Sequence, residues 1–63
     1  MSTKPNTAAE VAIIAHNHAE MACMAYGVAL PDNKKLRMFV PQYNLTYTQE
    51  FNRLMGELIA SLS

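Results

Sequence analysis

His16, Glu20 and Cys23 are the residues of this chain whose types and spacing could do chemistry. On a helix they stand at i, i+4 and i+7, which puts an imidazole, a carboxylate and a thiol on one stripe, and zinc accepts all three. A structural zinc site takes four protein ligands, and His18, the other imidazole, projects about 160° away from His16 on a regular helix. The set stays incomplete. A polar strip beside a small, hydrophobe-like thiol is therefore expected, with no metal ligands and no cofactor. Cys23 and His16 also fail as nucleophile and base, because seven residues separate them by about 10 Å along one helix axis. No glycine-rich phosphate loop is present, and a chain of 63 residues leaves little room for a water-excluding pocket. No catalytic residues and no enzymatic activity are expected.

The element that must carry these residues is the stretch Val11 to Leu30, in which only His16, Asn17, His18 and Glu20 are clearly polar. Its length matches the roughly 20 apolar residues that cross a bilayer. Its filling does not, since alanine dominates and a carboxylate with two imidazoles occupies the centre, so a water-exposed helix with more than one apolar side is expected and no membrane partner. Thr7-Ala8-Ala9-Glu10 reads as a capping box that starts this helix, Gly27 weakens it and Pro31 prevents continuation. The expected span is Ala8 to Val28 or Ala29, about 30 Å.

Within it, Val11, Ile14, His18, Met21, Ala25 and Val28 fall on a heptad seam flanked by Ala15, Ala19, Ala22 and Ala29. His18 is thus expected to be buried. Ile13 and Met24 lie on the opposite side.

A second helix follows from Tyr47, Phe51, Leu54, Met55, Leu58, Ile59 and Leu62, spaced by three and four from a cap at Thr46 to the C-terminus, about 17 residues. Asn52, Arg53, Glu57 and Ser61 fill its other face. Between the helices, Leu36 to Val40 suits either a strand or a short helical turn; the turn, capped by Asp32 and ended before Pro41, is the favoured reading. Gln42, Asn44 and Thr46 alternate with Tyr43 and Leu45, which reads as extended chain.

The expected fold is therefore all-α: a small helical hairpin with a long N-terminal helix, an irregular connection and a shorter C-terminal helix. Residues 1–6 form a flexible N-terminus and 7–63 one small domain. A domain of about 60 residues buries only about 60% of its chain's surface, and one cysteine allows no internal disulfide, so association is the expected supplement. A homodimeric helical bundle is the simplest closed form, with Val11, Ile14, His18, Ala22, Ala25, Phe51, Leu54 and Leu58 at its interface.

Five basic and five acidic residues cancel, which argues against nucleic acid as a partner. The lone thiol suits a reducing cytoplasm. By elimination, the expected function is a small non-enzymatic regulator or inhibitor that binds a larger protein through an apolar helix surface, using Ile13, Met21, Met24, Tyr26 and Phe39. Two alternatives stand beside it. One is a metal-binding helical module; the other is a DNA-binding regulator using the Lys34–Thr46 segment, whose basic cluster Lys34, Lys35 and Arg37 precedes the alternating Gln42, Asn44 and Thr46. In that feature the chain resembles ribbon-helix-helix repressors, which place a polar-faced strand before two helices, whereas here one helix precedes the segment and one follows.

Overall fold

The computed structural model describes residues 5–62; the first four residues of the expected flexible N-terminus and the final residue of the expected 7–63 domain lie outside them. Two long helices, α1 (Ala8–Ala25) and α2 (Pro41–Leu62), pack against each other as a hairpin, with a 3-10 helix (Lys34–Phe39) in the connection. No strand occurs among the described residues.

The start of α1 follows from its cap. The Thr7 hydroxyl accepts from the Glu10 amide at 3.2 Å, and the Glu10 carboxylate reaches back to the Asn6 amide at 3.3 Å, so both orphan donors are satisfied. The helix ends at Ala25, short of the expected Val28 or Ala29. Gly27 takes φ +70, its amide bonds to the Met24 carbonyl, and the Val28 amide folds back to the Cys23 carbonyl at 2.8 Å. This double closure is the Schellman motif, which favours glycine because L side chains resist positive φ. The glycine, upstream of Pro31, is the terminator.

In the connection Asn33, not the expected Asp32, caps the 3-10 helix by accepting from the Lys35 amide at 2.9 Å. The helical turn before Pro41 is as expected, but the segment after it is not extended. Pro41 opens α2, a position where its missing N–H costs nothing and its fixed φ is already helical. Gln42, Asn44 and Thr46 therefore occupy a helix, where alternate residues do not share a face, and the strand-borne DNA reading loses its geometry. The starting proline also makes α2, at 22 residues, longer than α1, at 18.

α1 presents Val11, Ala15, Ala19 and Cys23 to the hairpin interior, all 0% exposed. This spacing of four, lined mostly by methyl groups, replaces the expected heptad seam: Met21 and Ala25 face outward, and His18 is only half-buried. Small side chains let the α2 backbone approach, so large neighbours on α2 supply the volume. Near the open end Val11 meets Leu54 and Leu58, with Ile14, Phe51 and Met55 packed on them. Near the connection Ala19 and Cys23 meet Tyr43, with Val28, Leu30, Val40 and Tyr47 around it.

The residues expected at a dimer interface thus divide. Val11, Leu54 and Leu58 are core within one chain, supported by Ile14 and Phe51, because the α2 stripe they were expected to offer to a second copy is already filled by α1.

Candidate functional site

All three elements converge on one polar chain. His16 Nε2 lies 2.5 Å from Glu20 Oε1, and its Nδ1 shares a hydrogen bond with the Tyr43 hydroxyl. The second Glu20 oxygen accepts from Arg37 Nη1 at 3.0 Å, and Arg37 Nε donates to the Pro31 carbonyl at 2.9 Å. α2, α1 and the 3-10 helix are therefore tied in series. Burial pushes the Tyr43 phenol above its usual pKa, helped by nearby Tyr47 and Glu20, so the hydroxyl remains a donor and is not activated as a nucleophile.

Above this chain runs an open groove of about 590 Å³, bordered by Ile13, Asn17, Lys34, Met38 and Tyr47. Its aromatic wall continues along α2, where Tyr43, Tyr47 and Phe51 stack with centroids 6.0 and 5.8 Å apart. Cys23 is wholly buried beside Tyr43 and does not join His16 and Glu20. Among the described residues no three His, Cys, Asp or Glu side chains gather as metal ligands.

On the far side of the α1 stripe, His18 Nδ1 lies 3.2 Å from Glu50 Oε1. The approach lacks the alignment of a hydrogen bond, so this buried nitrogen has no hydrogen-bond partner. Arg53 grips Glu50 at 2.8 Å and Glu57 at 3.2 Å, and its hydrogen bond holds the Glu50 carboxyl below its usual pKa, with the nearby His18 adding to the effect.

Every residue expected to contact a partner lies on the surface: Ile13, Met21, Met24, Tyr26 and Phe39 are 60 to 81% exposed. Ile13, Met21 and Met24 share the α1 face that points away from α2, with Asn17 between them. Glu20, at the edge of that face, is bonded to His16 and Arg37. Three residues that organise the polar contacts, Arg37, Tyr43 and Glu50, were not expected. The signal for Tyr43 was present, since it precedes Tyr47 and Phe51 at intervals of four, whereas Arg37 and Glu50 find their partners only through tertiary contacts.

Compared with known protein families, curated proteins and solved structures, the chain matches none. No helix among the described residues is long and apolar enough to cross a membrane.

Proposed function

We propose that this chain is a small non-enzymatic regulator or inhibitor that docks the outer face of α1 on a larger protein. The supporting observation is an inversion of side-chain size: α1 buries alanines and holds Ile13, Met21 and Met24 in water. Large apolar groups left outside a folded core mark interaction surfaces when they are contiguous. These three fall within about 80° of one another around the helix, the pattern by which an amphipathic helix enters a hydrophobic groove. The partner feature is therefore an apolar groove without charge at its floor. Methionine suits it, because its unbranched thioether adapts to irregular surfaces.

A photo-crosslinker at Met24 should label the target in the native host, and the same group at Lys35 should not. Ile13→Ala/Met21→Ala/Met24→Ala should abolish labelling from a neighbouring site while leaving the circular dichroism spectrum intact. Retained labelling by that folded variant would refute the reading.

A second copy is the alternative occupant, favoured by one feature. Ile13 and Met21 stand four residues either side of Asn17, so a two-fold antiparallel pairing centred on Asn17 sets each Ile13 against the partner's Met21, with a polar residue at the axis to fix register. Light scattering coupled to size exclusion separates the two: twice the 7.0 kDa mass, reverting to 7.0 kDa in the triple variant, marks a homodimer through this face.

A further inference from the structure

We infer that His18, Met21 and Met24 form a surface site for a soft monovalent cation, Cu(I). The three stand at i, i+3 and i+6 on α1. Each step of three advances about 4.5 Å along the axis and turns back by about 60°, so successive members are neighbours on a shallow ridge, with Cβ atoms about 5–6 Å apart. The methionines are 66 and 76% exposed, and neither joins either core cluster. Their thioethers are free to turn toward a common centre, because an unbranched side chain with three rotatable bonds costs little to re-aim. Neutral sulfur donors select Cu(I) over hard divalent ions.

His18 supplies the third donor, and its surroundings orient it. Nδ1 is buried against Glu50, yet the side chain as a whole is 41% exposed, so the exposure falls on the rest of the ring. The Glu50 carboxylate beside Nδ1 keeps that edge of the ring turned toward α2 and leaves Nε2 on the exposed edge, open to a metal. Metal-bound histidines commonly have an outer carboxylate beside the second ring nitrogen, and Glu50 is itself fixed by Arg53. The thiol that would otherwise compete, Cys23, is fully buried on the opposite stripe. The site differs from the zinc set His16, Glu20 and Cys23 in every residue, and its failure would leave the docking reading standing.

Under reducing conditions, titration of the full chain with Cu(I) against bicinchoninate should show one ion bound per chain, unaffected by added Zn(II). Met21→Leu/Met24→Leu should weaken binding by more than about 100-fold, and Glu50→Gln by about tenfold, the lower end of what loss of an outer partner costs. Leucine matches methionine in helix propensity, so helicity should be unchanged, and Cys23→Ala should bind as the parent does. X-ray absorption of the loaded parent chain should report two sulfur neighbours and one nitrogen. Absence of competition, full affinity in the leucine variant, or binding lost only with Cys23→Ala would each overturn the site. If the leucine variant loses helicity, absorption on the parent chain still decides, since a shell with fewer than two sulfurs excludes ligation by the two methionines together.

Discussion

The two faces of α1 invert the usual relation between size and burial. Inward lie Val11, Ala15, Ala19 and Cys23, wholly buried; outward lie Ile13, Met21 and Met24, mostly in water. The inner face sets how closely α2 approaches, because the small groups of Ala15 and Ala19 let the two backbones come near. The outer face contributes little to that packing, so its apolar groups are free for another use. Stability and recognition are thereby assigned to opposite sides of one helix, and substitutions on the two sides should have separable effects.

The sharpest break of that division is Ala19→Leu. Added methylenes in a filled interface force the helices apart at a cost of about 3 kcal/mol, which urea denaturation should register as a lower midpoint or outright loss of the cooperative transition. A change under about 0.5 kcal/mol would mean that the helices do not approach at Ala19.

Tyr43→Phe comes next, since it removes the hydroxyl hydrogen-bonded to His16 and leaves a half-buried nitrogen unpaired, worth about 1–2 kcal/mol. The same variant should delete the last tyrosine to ionise in an alkaline absorbance titration, because the folded Tyr43 phenol is raised above its value of 10.0. Its raised value means that the contribution is intact below about pH 10 and lost as pH rises through the folded value. Early titration of all three tyrosines would contradict the buried clamp.

Glu50 supplies a smaller effect at the other end of the pH scale. Its carboxyl is held below its value of 4.5, chiefly by Arg53, so the unfolded chain binds the proton more readily than the folded one. The stabilisation is complete above about pH 4.5 and disappears as pH falls through the lower folded value. Solvent around Arg53, 55% exposed, limits it to less than about 1 kcal/mol. Thermal melts between pH 5 and 3 should decline less steeply in Glu50→Gln than in the parent chain.

Smallest of all is Met24→Ala, expected to shift stability by no more than about 0.5 kcal/mol while weakening partner capture. A loss near 2 kcal/mol would place Met24 in the fold and not on a recognition face.

Local physics alone determined much of this protein. Thr7 and Glu10 cap a helix through bonds within one turn, and the α2 stripe of Phe51, Leu54 and Leu58 is legible because charged and polar residues fill its other side. The outward position of Ile13 and Met24 was equally readable. What the residues of α1 could not settle was its buried face. With alanine, isoleucine and methionine spread nearly all round, a heptad seam through His18 and a spacing of four through Ala15 and Ala19 each offer an apolar stripe, and only the shape of α2 chooses between them. Pro41 posed a related ambiguity, since one ring can stop a preceding helix or start the next. Packing of Tyr43 against Ala19 and Cys23 rewards the second option. That choice also brings Tyr43 to His16 and Glu50 to His18, contacts between residues far apart in the chain that exist only once the two helices have met.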